Sequence, residues 1–320
     1  MGNIRDIAKK AGVSVSTVSR VLNHHPYVKE DKRQAVLKAI EEMNYTKNMN
    51  AVHLSKGQTF VVGVVLPYIN QSYFSAVLEG IAEEALASDY QLMICQTNYE
   101  IKQEIQALEM LKMKQVDGLL ICSRACDWEV IREYQMYGPI IVCEDGRGTD
   151  VSSVFIDHYA AFEKGLHHLI EQGHRRIGYC IGRRTGVNSY QRERAYRNIM
   201  NELGEPIREE WIFDQCLLLE DGERVASRLI KLTSRPTALL VTNDQVAAGL
   251  VLQCQHLGIR VPEDLAIIGF DNQSISHVLQ LTTIELPLKE LGRQLFQLFL
   301  HKDNVKHIEV STQLIKRLTV

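Results

Sequence analysis

The sequence predicts an α/β protein, with a small N-terminal helix-turn-helix headpiece ahead of a two-lobed core built on parallel sheets. Three observations carry this. Residues 4–23 hold two short helical patterns separated by a three-residue turn. Residues 60–270 alternate apolar, β-branched runs with amphipathic stretches, as parallel strands joined by helical crossovers require. Charge is also divided: residues 1–56 carry ten Lys and Arg against five Asp and Glu, net +5, while the whole chain is −3, so residues 57–320 carry −8. A basic end on an acidic remainder suits docking of that end on a polyanion.

The first helix, Ile4 to Ala11, places Ile7, Ala8 and Ala11 on one face, and Gly12 closes it because glycine enters a left-handed turn without steric cost. Ser14 can cap the second helix, in which Val15, Val18, Val21 and Leu22 form an apolar stripe. Ser16, Thr17, Arg20 and Asn23 lie off that stripe. They are short or planar hydrogen-bonding groups suited to base edges and phosphates, where a merely solvated helix usually carries Glu and Lys. Bland alternatives exist for two of these residues: Thr17 as a second cap, and Val15 as ordinary core. A third helix over Glu30–Met43, with Val36, Leu37, Ile40 and Met43 inward and Tyr45 closing the unit, completes a headpiece of residues 1–46. Residues 47–58 are polar and end near Gly57, a linker in which Ala51 and Leu54 can share a helical face.

From residue 60 the expected strands are Phe60–Leu66, Leu92–Gln96, Gly118–Cys122 and Ile140–Cys143, with helices Phe74–Ala87, Gln103–Lys114 and Glu129–Met136 between them. A second series begins after Asp157: helix Tyr159–Gln172, strand Ile177–Ile181, helices Tyr190–Glu202 and Gly222–Thr233, strand Ala238–Val241, helix Gln245–Leu257 and strand Leu265–Phe270. Two such series imply two lobes, with ligands bound at the carboxyl ends of the strands.

A chain of 320 residues, 45% of them hydrophobic, is too long for one small core. No apolar run reaches a membrane span, no signal peptide is expected, and the seven scattered cysteines suit reduced thiols in a cytosolic protein. Cys122 and Cys126 lack a second pair, so no metal site is expected. Neither G-x-S-x-G, a P-loop nor H-E-x-x-H occurs. His167 and His168 would point to different faces of their helix, and Glu144-Asp145 reads as solvent or cleft rim rather than acid–base machinery. An enzyme is not expected.

Ile4-Arg5-Asp6-Ile7-Ala8 through Thr17-Val18-Ser19-Arg20-Val21-Leu22-Asn23, then Tyr45, Asn48, Ala51 and Leu54, resemble the lactose/galactose repressor family. The resemblance continues through Gly173-His174, Thr242-Asn243-Asp244-Gln245, Gly269-Phe270-Asp271 and Leu281-Thr282-Thr283-Ile284, nearly the whole chain. It implies a headpiece for each half of a palindromic operator, a hinge helix, and a homodimerising, periplasmic-binding-protein-like core of residues 59–320. Lobe one would be 59–157 and 286–303, and lobe two 158–285 and 304–320.

Carried over residue by residue, Val15 and Ser16 open the recognition helix against base edges, Thr17 and Arg20 follow as phosphate and base contacts, and Asn23 lies near the DNA backbone. Asn48 and Ala51 belong to the hinge. Leu54 corresponds to a wedge that enters the minor groove and kinks the duplex. Lys47 and Val52 depart from the family's usual hinge residues. In the core, Arg192 matches the arginine that holds effector hydroxyls or carboxylates, Asp271 a carboxylate that accepts from sugar hydroxyls, and Asn243-Asp244 the strand-end pair beside it. Tyr73 and Phe74 match the first lobe's cleft rim, Asp157 has a ligand or hinge role at a lobe crossing, and Trp128 is a half-buried helix residue or a sugar platform. The implied partners are operator DNA, a second copy of the chain, and a small sugar or sugar phosphate, with no cofactor and no membrane. The alternatives are a serine-phosphorylated phosphocarrier docking near Lys289 and Arg293 on the helix Lys289–Leu300, and a sugar receptor without DNA binding.

Overall fold

A computed structural model describes residues 3–45, 57–301 and 304–320. The chain divides into two compact units, Met1–Thr59 and Phe60–Val320.

The headpiece has three helices: α1 (Ile4–Ala11), α2 (Val15–Leu22) and α3 (Glu30–Glu42). Asn3 and Asp6 form a reciprocal capping box that opens α1, and Gly12, at φ 64°, ends it in the left-handed region. The Ser14 Oγ accepts from the Thr17 N–H at 3.2 Å, so α2 starts where the sequence placed it. Ile7, Ala8, Val18, Val21, Val36 and Ala39 make the core. Two residues assigned inward do not join it. Leu37 is 46% exposed, and Val15 is 42% exposed because α2's first residue stands ahead of the turn that packs.

The second unit holds β1 (Val61–Leu66), α4 (Ser72–Ala87), β2 (Gln91–Gln96), α5 (Ile101–Lys112), β3 (Gly118–Ile121), α6 (Trp128–Tyr134), β4 (Ile140–Val142) and β5 (Ser153–Phe155). It continues with α7 (His158–Glu171), β6 (Ile177–Cys180), α8 (Val187–Glu202), β7 (Ile212–Phe213), α9 (Leu219–Leu229), β8 (Ala238–Val241), α10 (Asp244–His256) and β9 (Ala266–Phe270). The last elements are α11 (Ser274–Val278), β10 (Thr282–Glu285), α12 (Leu288–Leu300), β11 (His307–Glu309) and β12 (Gln313–Ile315).

Two six-stranded sheets result, ordered β11-β5-β4-β3-β1-β2 and β12-β10-β9-β8-β6-β7. Every pairing is parallel except β10 with β12. Strands β3, β4, β6, β8 and β9 are buried along their whole length, which accounts for their unbroken apolar runs. The chain enters the second sheet after β5, returns with α12 against α4 and β11 beside β5, and crosses again to β12. Residues 304–309 therefore stay with the first sheet rather than the second, because His307, Ile308 and Glu309 pair with Ser153, Val154 and Phe155.

Candidate DNA-binding face and ligand cleft

On α2 the buried side is Val18 and Val21, and the other side presents Val15, Ser16, Arg20 and, at its end, Asn23 to solvent. The Ser14 hydroxyl, besides capping, lies 2.8 Å from Ser16 Oγ and 2.9 Å from Thr17 Oγ1. The helix thus opens on a small hydroxyl cluster with one exposed apolar group, Val15, beside it. An exposed valine next to hydroxyls offers a methyl contact and hydrogen bonds together, the pairing that reads base edges in a major groove. Asn48, Ala51 and Leu54, with Lys47 and Val52, lie outside the described residues.

In the second unit, loops leaving the carboxyl ends of β1, β3, β4, β6, β7, β8 and β9 converge on a cavity of about 170 Å³. Both sheets point their strand ends at it, the arrangement by which α/β lobes bind ligands. Of the residues singled out from the sequence, Tyr73, Phe74, Arg192, Asn243 and Asp271 line it. Tyr73 and Phe74 come from the first turn of α4 and stack edge to face at 5.0 Å. The Tyr73 hydroxyl is pushed well above the ordinary tyrosine range, first by burial. Arg192, on α8, lies 5.0 Å over the Phe270 ring and donates through Nη2 to His158 Nδ1 at 3.1 Å. Its Nε is buried without a partner among the described residues.

Asp271 follows β9 with φ 99°, a conformation in which a non-glycine residue is strained by roughly 1–3 kcal/mol. Asn243 Nδ2, at 3.3 Å, and Gln273 Nε2, at 2.9 Å, both donate to its Oδ2. Burial drives this carboxyl well above the usual range and the neighbouring Asp244 adds to that, while Arg192 opposes it. Asn243 also caps α10 through its Oδ1. A guanidinium, a carboxyl and an amide therefore face one small space, donors and acceptors mixed. Such a set matches hydroxyl groups, which both give and accept hydrogen bonds.

Two assigned residues are elsewhere. Asp244 is fully buried behind the wall, accepting from the Thr283 hydroxyl and the Gln273 N–H, both at 2.7 Å. Adjacent positions on a helix cannot face one direction, so Asn243 looks into the cleft and Asp244 away from it. Asp157 caps α7, accepting from the Ala160 N–H at 3.0 Å, and does not line the cavity. Trp128 is half-buried at the start of α6 beneath the Arg124 guanidinium, 4.5 Å from its ring centre. Glu144 and Asp145 part ways: Glu144 is buried at the cavity and ion-paired to Arg124 at 2.9 Å, whereas Asp145 is exposed and bound by Arg147. His167 is exposed and His168 buried, on different faces of α7.

Tyr99, Ser123, Glu144, Arg183, Ser189 and Thr242 also line the cavity and were not singled out as ligand contacts from the sequence. Their common signal is position, since all but Ser189 lie within three residues of the end of β2, β3, β4, β6 or β8. No group of His, Cys, Asp and Glu among the described residues could hold a metal ion. No described helix is long and apolar enough to cross a membrane.

Residues 3–48 match the family of bacterial regulatory proteins of the lacI type, and residues 59–317 match the periplasmic binding proteins and sugar binding domain of the LacI family. The chain belongs to the LacI family. As a member it is a DNA-binding transcriptional regulator and not an enzyme. It is similar to an uncharacterized HTH-type transcriptional regulator, YkvZ, of Bacillus subtilis strain 168, 44% identical over 100% of both chains. It is similar also to catabolite control protein B of the same organism, 39% identical over 95% of this chain and 96% of that one. The lac repressor dimer bound to operator and an anti-inducer shares the fold, with a TM-score of 0.83 and 24% identity over 99% of this chain and 98% of that one.

Proposed function

We propose that this LacI-family regulator is a cytoplasmic, homodimeric repressor of carbohydrate genes whose operator affinity is set by a small polyol in the core cleft. The observation that carries the reading is the convergence of Arg192, Asn243 and Asp271 with Tyr73 and Phe74 on one cavity at the strand ends of both sheets. A ligand bridging two lobes favours one lobe arrangement over another, and operator affinity follows that population. A solved LacI family regulator with bound glucose and the transcriptional regulator CelR in complex with cellobiose have the same fold as this chain. On the DNA side, Val15, Ser16, Thr17, Arg20 and Asn23 would contact one operator half-site, and Asn48, Ala51 and Leu54 would act at its centre.

Control by a serine-phosphorylated phosphocarrier has weaker support. Lys289 and Arg293 are not free cations: Lys289 pairs with Glu79 at 2.8 Å and with Glu83, and Arg293 with Glu83 at 2.8 Å. A docking phosphate would have to displace carboxylates already in place.

Calorimetry of the full chain against a panel of neutral sugars, sugar phosphates and phosphorylated phosphocarrier separates the readings. Binding of a small polyol that is lost in Arg192→Ala and Asp271→Ala supports the cleft reading. Binding of the phosphocarrier alone, undiminished in both variants, removes it.

A further inference from the structure

Arg183, two residues beyond the cleft strand-end residue Ile181, differs from Arg184 beside it in the chain and from Arg124 at the mouth of the cleft. Arg184 is tied to Glu193 and Glu209, both at 3.1 Å, and Arg124 to Glu144 at 2.9 Å. Arg183 forms no ion pair and donates no hydrogen bond among the described residues. Its guanidinium lies over the Tyr99 ring, 3.3 Å from the centroid. Tyr99 belongs to the lobe of β1–β5 and Arg183 to the lobe of β6–β9, so this stack spans the mouth of the cleft. Stacking consumes the face of a guanidinium and leaves its N–H edge unsatisfied. Room for that edge is built in: a Cβ on Gly186 would come 2.7 Å from Arg183 Nη2.

The same mouth receives the amino end of α8, sixteen residues long, whose N-cap is Gly186 and which has no side-chain cap. The N–H groups of Val187, Asn188 and Ser189 find no acceptor among the described residues, and all three residues line the cavity. Uncapped N–H groups and the helix dipole favour an anion there. A further unmet donor lies deeper, the buried Nε of Arg192 on the next turn. Asp127 lines the outer mouth without pairing to Arg183, and the Arg124–Glu144 pair cancels itself. The balance at the mouth is one free cation beside three free amide donors.

We propose that the mouth of the cleft is an oxyanion subsite, and that the effector is a phosphate-bearing polyol. Its phosphate is held by Arg183 and the amino end of α8, and its hydroxyls by Arg192, Asn243 and Asp271. This rests on the cleft reading above and adds the phosphate to it.

The first test uses inorganic phosphate on the full-length protein. Thermal unfolding of the core is followed in phosphate and in chloride at equal ionic strength, for the wild type, Arg183→Gln and Tyr99→Leu. Each variant is compared with itself in chloride, so a general loss of stability does not intrude. Phosphate should raise the transition above chloride by more in the wild type than in either variant, whose remaining gain is the general salting-out effect of phosphate. Phosphate bound by the basic headpiece is unchanged by either substitution. Equal gains in wild type and Arg183→Gln, or none in either, overturn the subsite.

The second test compares neutral hexoses with their 6-phosphates by calorimetry. Charge-assisted hydrogen bonds from Arg183 should favour the phosphate form by about tenfold or more, and Arg183→Gln should abolish the difference. Neutral sugars that bind in an Arg192-dependent way with no gain from the phosphate would overturn the subsite while leaving the cleft reading intact.

Discussion

His158 Nδ1 accepts a hydrogen bond from Nη2 of Arg192 across 3.1 Å. A guanidinium can only donate, so the imidazole must keep Nδ1 bare and carry its proton on Nε2. Burial, and then the adjacent Arg192 charge, push the ring well below the ordinary histidine value of 6.5. His158 opens α7 and Arg192 sits on α8, so a neutral ring on one helix aims the cleft-lining cation of the other.

The pH dependence follows from that pairing. Unfolded, His158 protonates near pH 6.5, whereas the folded site refuses the proton. Below that pH the unfolded chain binds a proton that the native chain does not. The contribution of His158 to stability is therefore complete above about pH 7 and shrinks as the pH falls through 6.5. Denaturant titrations between pH 7.5 and 5.5 should show a shallower loss for His158→Gln, whose amide oxygen can still accept from Arg192. Parallel slopes would mean that the ring is protonated in the native state.

Asp244 has the opposite sign. Burial raises its carboxyl to about 7, against the hydrogen bonds from Thr283 and the Gln273 N–H, while an unfolded Asp titrates near ~3.9. Between those values the native chain holds a proton that the unfolded chain releases, so its contribution falls as pH rises through that window. Asp244→Asn retains an acceptor for the Gln273 N–H and carries no charge to bury. It should gain stability relative to wild type as the pH goes from 5 to 8. Asp244→Ala should instead lose about 1–3 kcal/mol for each donor left unpaired. A pH-independent offset for Asp244→Asn would show that the carboxyl is ionised throughout.

Which parts of this were legible in the sequence depended on length and on direction. The strands β1, β3, β6, β8 and β9 announce themselves by apolar runs, and α2 by its cap and its hydroxyls. β7 has two residues and β5, β11 and β12 three each, too few for a period to show, so the return of the chain to the first sheet at His307 had no local signature. The family resemblance marked Asp157, Asp244 and Asp271 alike as carboxylates at strand ends or crossings. Only the backbone decides that Asp271, at φ 99°, turns into the cleft while Asp157 turns onto its own helix. Arg183 lay beyond sequence reading because its significance is what it lacks, a carboxylate partner that Arg184 beside it has.

Gly292, in the middle of α12, lies so close to α4 that a Cβ there would overlap the Val77 carbonyl, and Gly80 on α4 meets the Lys289 carbonyl in the same way. Helix propensity alone would make Gly292→Ala stabilising by about 1 kcal/mol. The overlap reverses the sign, because the clashing atoms are backbone and cannot rotate away. Thermal unfolding of the core should show a net loss of roughly 1–3 kcal/mol, typical of overpacking. A stabilised variant would mean that the two helices can part enough to admit the methyl group.

Arg20 and Ser16 should separate phosphate binding from base reading on α2. Arg20 is exposed, with no ion pair among the described residues, and Ser16 stands in the hydroxyl cluster at the helix start. Arg20→Ala removes a cation whose proposed phosphate contact would release counterion. If that contact is all it makes, the slope of log affinity against log salt should flatten by about 0.9. Binding to specific and random DNA should then weaken together. Ser16→Ala removes a neutral group, so the salt slope should stay as it was while discrimination at one base pair falls. Fluorescence anisotropy on operator and scrambled duplexes, each at several salt concentrations, reads both quantities. A flattened slope for Ser16→Ala, or an unchanged one for Arg20→Ala, would place the DNA against a different face of the headpiece.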